Sequence, residues 1–212
     1  MGCHQETVLR GIFLPLLQFD RQQLNTAYNP ELKDKTMKKI LIIFLSLTLL
    51  SCNSQKKSTD TSDYSQTIKD QAEKMGQLLL KKDYKSFIKF TYPKIVEMAG
   101  SEEKMIQTID NGSKAMETEG ASFLSFTFGD PSKIIEVGNE LQGTLPQTIE
   151  MKVSNGRVVI KSTLIVVSTD HGKNWFFIDT SDKDIQTLKK ALPNLSGDLK
   201  ISAKQQPTLY KD

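Results

Sequence analysis

The side chains that ordinarily carry catalysis or hold metals are scarce in this sequence, and those present are not spaced as a site. Two histidines and two cysteines occur in 212 residues. His171 is the only histidine after Cys52, and it stands in a Thr169-Asp170-His171-Gly172 stretch that reads as a turn tip, where an imidazole usually meets solvent. Among the carboxylates, Glu102 with Glu103 and Asp182 with Asp184 fall where helices are expected to begin and compensate the helix dipole. Glu136 and Glu150 are acids that a pocket could recruit as a general base, but Glu150 is expected opposite Lys161 in a hairpin and is more simply explained by that ion pair. Phe123, Phe126, Phe128, Trp175 and Phe177 fall on segments that read as strands, where aromatic rings either line an apolar pocket or fill a core. On these grounds no catalytic residue, cofactor or metal ligand is assigned.

The run Ser168, Thr169, Asp170, His171, Gly172, Lys173, Asn174, Trp175 resembles the Asp-box, S-x-D-x-G-x-T-W, and departs from it at Asn174. In sialidases and other propellers this element stabilises a hairpin remote from the active site and recurs once per blade; here it occurs once. The resemblance implies a structural turn. Asp170 would accept backbone N–H bonds, Gly172 would supply a positive φ, and Trp175 would pack beneath.

A different segment, from Met37 to Cys52, reads MKKILIIFLSLTLLSC, with Lys38 and Lys39, an apolar run from Ile40 to Leu50, then Ser51 and Cys52. Basic, apolar and small-residue regions in that order are the parts of a signal peptide. The apolar run is shorter than the roughly 20 residues a spanning helix needs. Leu49, Leu50, Ser51 and Cys52 resemble the lipobox of bacterial lipoproteins. The resemblance implies cleavage after Ser51, a diacylglyceryl thioether on Cys52 and acylation of the new amino group. Each buried methylene is worth about 0.8 kcal/mol, so one myristoyl chain binds marginally whereas two or three hold stably. The implied partner is the membrane, reached through acyl chains such as palmitate. The implied location is the bacterial cell envelope, with Asn53 rather than Asp after the cysteine favouring the outer membrane over the inner. With Cys52 acylated, no cysteine remains for a disulfide, a thiol nucleophile or a Cys and His metal site.

Residues 1–36 are expected to be an upstream extension from a wrongly assigned start codon, and 37–51 the signal peptide. Residues 52–66 are expected to be the lipidated cysteine and a flexible tether of Ser, Thr, Lys and Asp, with a reach of roughly 20 Å. Of the 28 Lys and Arg and 25 Asp and Glu, six and four precede Cys52, which leaves 22 and 21 beyond it. So even a balance provides no basic stripe and argues against a nucleic-acid partner.

Beyond the tether, Ile68, Ala72, Met75 and Leu79 form the apolar stripe of a helix over about 67–82. Asp83 offers a cap for a piece with Phe87, Ile88 and Phe90, and Pro93 opens another that Gly100 ends. Ser101 starts a helix whose stripe of Met105, Ile109, Gly112 and Met116 runs to Gly120. Phe123 to Phe128 alternates as a strand, the Gly129-Asp130-Pro131 turn follows, and Ile134 to Val137 makes a second. Ile149, Met151 and Val153 alternate up to Asn155-Gly156, a pair suited to a type I′ hairpin that would set Val153 opposite Val158, Met151 opposite Ile160 and Glu150 opposite Lys161. Leu164 to Val167, apolar on both faces, predicts a covered central strand, and Trp175 to Ile178 a last one. Ser181 with Asp184 resembles a capping box opening a short helix that stops near Pro193. Residues 193–212 form a tail without assignment.

The predicted fold is therefore α+β: N-terminal helices packed on a curved antiparallel sheet of about five strands, with a short C-terminal helix. Over 67–192 this order, with KDYKSFIKFTYP and NWFFID, is similar to the cystatin-like superfamily typified by nuclear transport factor two, whose sheet wraps a helix and leaves a cone-shaped pocket. That fold hosts unrelated activities and does not imply one. The expectation is an envelope domain that binds a small apolar ligand or an envelope protein without catalysis. A structural or assembly lipoprotein without ligand is the alternative, and an isomerase-type enzyme ranks third.

Overall fold

The computed structural model describes residues 62–180, 183–203 and 205–211. Ser51, Cys52 and the rest of the expected extension, signal peptide and proximal tether lie outside them, as do Ser181 and Asp182. The described chain is α+β, with helices mostly preceding an antiparallel sheet and a short helix after it. In chain order the helices before the sheet are α1 (Ser62–Leu80), α2 (Tyr84–Phe87), α3 (Pro93–Met98) and α4 (Glu102–Thr118), with a 3-10 turn over Ile88–Phe90. The strands are β1 (Ser122–Phe128), β2 (Ile135–Val137), β3 (Glu140–Val153), β4 (Gly156–Ser168) and β5 (Phe176–Asp179). Helix α5 (Ile185–Ala191) and strand β6 (Thr208–Tyr210) follow.

The helix starts come from local chemistry. Asp83 accepts from the Ser86 N–H at 3.1 Å, Ser101 Oγ from the Lys104 N–H at 3.2 Å, and Pro93 occupies the first turn of α3. Gly100 and Gly120 end their helices. Two expectations change. Helix α1 begins at Ser62, so residues 62–66 belong to it and not to the tether; Tyr64 earns this by packing edge-on against Trp175, 5.7 Å between ring centres. Helix α5 is capped by Asp184, whose carboxylate accepts from the Thr187 N–H at 2.7 Å, so Asp184 stands at the cap and not at the third position of a capping box.

Six strands, not five, fill four lanes among the described residues. β1 and β2 lie end to end along one edge of β3, and β6 and β5 do the same along the far edge of β4. β3 begins at Glu140, nine residues before the Ile149 that opens the predicted alternation. Its first half hid behind Gly143 and Pro146, which weaken a strand pattern. Pro146 is tolerated because the outer lane breaks there: Gly129 N–H donates to the Pro146 carbonyl at 3.0 Å, and Ser132 bridges to Thr144 across the gap.

The β3–β4 register corrects the predicted one by two residues. Val153 pairs with Gly156, Met151 with Val158 and Ile149 with Ile160. The turn is Ser154-Asn155, neither of which has a positive φ, so it is not type I′; the positive φ of 134° falls on Gly156. Gly156 also lies so close to the Tyr210 carbonyl of β6 that a Cβ has no room. An even shift keeps each side chain on its face but changes its partner. Glu150 bonds Arg157 at 2.7 Å, while Lys161 sits opposite Thr148.

Both faces of the sheet are covered. On one, Ile68, Ala72 and Met75 of α1 pack on Leu145, Leu164, Val166 and Phe177. On the other, Ile165, Val167 and Ile178 meet Leu188 of α5 and Leu192, Leu195 and Leu199 of the segment without prior assignment. The buried run from Leu164 to Val167 thus feeds two cores, as the two-sided apolar pattern requires.

Candidate binding pocket

Between the first four helices and the sheet lies a pocket of about 110 Å³. Its helical wall is Met75, Gly76 and Leu79 from α1, Phe87, Thr91 and Ile95 from the segment through α3, and Met105 from α4; its sheet wall includes Phe123, Phe126, Ile149, Leu164 and Phe177. Gly76 shapes this wall because a Cβ there would come within 3.0 Å of the Phe126 Cβ. Three polar side chains border the space, Thr91 among them. Gln147 is 5% exposed and donates to Ser162 Oγ at 3.2 Å, and half-buried Asp179 stands opposite Leu164.

A second, smaller pocket of about 20 Å³ adjoins it and shares Leu79 and Phe123 as wall residues. Tyr84, Ile109, Gly112, Ser113 and Met116 complete it. Tyr84 is 7% exposed, and its hydroxyl has no hydrogen-bond partner among the described residues.

Of the aromatic residues flagged in the sequence, Phe123, Phe126 and Phe177 line the larger pocket. Phe128 and Trp175 pack into the core instead, Trp175 at 1% exposed. Glu136 and Glu150 lie on the sheet away from both pockets. Gln147, Asp179 and Tyr84 had no sequence signal as site residues. Tyr84 lies in a segment read for its apolar neighbours, Asp179 just past one and Gln147 in the half of β3 left unassigned, and nothing local marks which polar group the fold turns inward.

Ser168, Asp170, Gly172 and Trp175 form one hydrogen-bonded turn. Ser168 Oγ donates to Asp170 Oδ1 at 2.9 Å and accepts from the Gly172 N–H at 2.9 Å. Asp170 also accepts from the Asn174 backbone N–H at 2.9 Å and from Asn174 Nδ2 at 2.6 Å. The Asn174 backbone bond above all, then the Asn174 and Ser168 side chains, hold the Asp170 carboxyl below its ordinary pKa. Trp175 Nε1 donates to the Gly172 carbonyl at 3.0 Å. Gln71 of α1 stitches the turn to the helix layer, accepting from Trp175 N–H at 2.8 Å and donating to the Lys173 carbonyl at 2.9 Å. The Tyr64 ring lies against Gly172, where a Cβ has no room. His171 has φ 61° at the exposed tip.

No family model, no curated protein and no solved structure matches this chain. Its site is therefore read from its own chemistry. Among the described residues, no three His, Cys, Asp or Glu side chains gather as metal ligands, and no helix is long and apolar enough to cross a membrane.

On the opposite sheet face a polar network joins α3, β3 and the tail. Tyr92 Oη donates to Glu140 Oε1 at 2.8 Å. Fully buried Gln142 donates to Glu140 Oε2 at 2.8 Å and to the Asn194 carbonyl at 3.1 Å, and accepts from the Ser196 N–H at 2.8 Å. Burial first, and the Glu140 carboxylate second, push the Tyr92 phenol up to about 12.

Proposed function

We propose that this chain is a lipoprotein of the bacterial envelope, held by acyl chains on Cys52, whose domain binds a small apolar ligand without catalysing a reaction. The observation that carries the ligand is the pocket of about 110 Å³ walled by Met75, Leu79, Phe123, Phe126, Ile149 and Phe177. Dry apolar cavities of about 150 Å³ admit benzene, so a ring or short chain is the matching size. The element order, similar to that of cystatin-like domains, supports the same placement between helices and sheet. The anchor rests on the Met37 to Cys52 sequence, and its outer-membrane destination on Asn53.

Two measurements test the reading. An alkyne fatty acid fed to expressing cells labels the wild type and leaves Cys52→Ala unlabelled; equal labelling of both removes the anchor. With methionine methyl groups labelled for NMR, toluene shifts Met75 and Met105 saturably. Absence of such shifts favours the structural or assembly role without ligand, or a protein partner.

Asp179 and Gln147 at the pocket favour a second reading, an isomerase-type enzyme in which Asp179 moves a proton. Its test is hydrogen–deuterium exchange at the carbons beside the carbonyl of 2-hexanone. Catalysis of that exchange by the wild type and not by Asp179→Asn would replace the noncatalytic reading.

A further inference from the structure

An unpartnered polar group at the wall of an apolar pocket specifies more than size. Tyr84 follows the Asp83 cap directly, so its ring is fixed at the start of α2 and enters the layer between α2 and α4 among Ile88, Met105 and Ile109. Its hydroxyl is buried without a partner among the described residues, and the residue lines the smaller pocket, whose Leu79 and Phe123 are also walls of the larger one. A buried hydroxyl that makes no hydrogen bond is destabilising, because it gave up water on folding and gained nothing. A ligand reaching it with an acceptor would satisfy that donor in a low-dielectric setting.

We propose that the two pockets form one binding site for a short apolar molecule ending in a carbonyl group, with the chain in the larger pocket and the carbonyl oxygen accepting from the Tyr84 hydroxyl. The direction of the ligand follows from the polar groups at the two ends. Of the two pockets, Thr91, Gln147 and Asp179 border only the larger and Tyr84 only the smaller, and of these residues only Tyr84 has a hydroxyl buried without a partner among the described residues. A carbonyl oxygen is repelled by a carboxylate and attracted by a phenolic O–H, so the acceptor end points to Tyr84. The smaller pocket, at about 20 Å³, has room for a group the size of a water molecule and not for a second chain. A carbonyl oxygen fits that space, and the proposed pose requires Leu79 and Phe123, the half-buried walls common to both pockets, and the Tyr84 ring to shift on binding.

The inference rests on the apolar-ligand reading and is tested so that the two fail separately. The probes are 2-hexanone and 2-methyl-1-hexene, which share shape and differ by C=O against C=CH₂. The reporters are the methyl groups of Met75 and Met105 in the larger pocket and Met116 in the smaller, in the full chain carrying Cys52→Ala so that no attached acyl chain competes. Expected is binding of the ketone about three- to tenfold tighter than of the alkene, the range of one neutral hydrogen bond, with Met116 shifted by the ketone. Tyr84→Phe should abolish that preference. Equal affinity of the wild type for the two probes, or a preference that survives in Tyr84→Phe, overturns the role of Tyr84 while the pocket reading stands. If neither probe shifts Met75 or Met105, the pocket reading falls and takes this inference with it. If Tyr84→Phe does not fold, the wild-type ratio of the two probes decides alone.

Discussion

Replacing Asp170 with Ala should lower stability by about 2 kcal/mol, and the structure says where that loss arises. Asp170 receives three hydrogen bonds, two of them from Asn174, which is exposed and recovers water when the carboxylate goes. The third comes from Ser168, which is fully buried and keeps no acceptor for its hydroxyl hydrogen. One buried donor left unsatisfied costs about 1–3 kcal/mol, and this sets the size of the effect. In a domain of about 150 residues that lowers the melting temperature by roughly 4–8 °C. Asp170→Asn retains one acceptor oxygen and should lose less. Ser168→Ala removes the stranded donor, so the double variant should be less destabilised than the sum of the singles. The single tryptophan, Trp175, lies beneath this turn and reports unfolding by fluorescence. Because the folded pKa of Asp170 is depressed, the difference between wild type and Asp170→Ala should be full above the ordinary aspartate range and shrink as pH falls through the lower folded value. A melting temperature unchanged within a degree, or a difference that does not narrow at all at a pH below both values, where only the neutral acceptor of the protonated carboxyl remains, would refute the reasoning.

The hairpin register gives a second test: Gly156→Ala places a side chain against the Tyr210 carbonyl at a φ that strains L-residues, so it should cost more than about 1 kcal/mol and release β6. Amide exchange would rise at Thr208–Tyr210 while β3 and β4 stay protected; unchanged exchange at β6 sinks the idea. Gln142→Met keeps bulk but leaves the Ser196 N–H and the Asn194 carbonyl without their partner, and a urea midpoint should report a loss of about 2 kcal/mol. Tyr92 has a raised pKa, so its contribution is intact below pH 10 and lost as pH rises toward about 12. The stability gap between wild type and Tyr92→Phe should therefore narrow over that window, and a constant gap would contradict the Tyr92–Glu140 bond.

How much of this was legible depended on whether the signal was local. Caps at Asp83 and Ser101, the proline at the start of α3 and the glycines that end α3 and α4 act within a few residues, and the sequence displays them directly. The hairpin register was misread because Asn155-Gly156 suits a type I′ turn in isolation, whereas β6, more than 50 residues away, occupies the space beside Gly156. The first half of β3 carries Gly143 and Pro146 because its outer neighbour breaks there, a fact about the partner lane that its own residues do not disclose. Leu195 and Leu199 fall in the tail without assignment, and their place in a core depends on the surface that Ile165 and Val167 present. Sequence periodicity reports which faces are apolar and stays silent on what covers them.

The same distinction separates the pocket from the core. Ile68, Leu145 and Val166 are fully buried and packed, as ordinary folding demands. Beside them, Phe123 and Leu79 border space that no described side chain fills, and Tyr84 brings a hydroxyl that no described residue answers. Each departure costs stability, and stability alone would remove both: a larger residue would close the gap and Phe would replace Tyr. Their adjacency is the argument for function. An unfilled apolar volume gains from an apolar ligand, an unmet donor gains from an acceptor, and one short molecule that carries both satisfies two adjoining deficits at once.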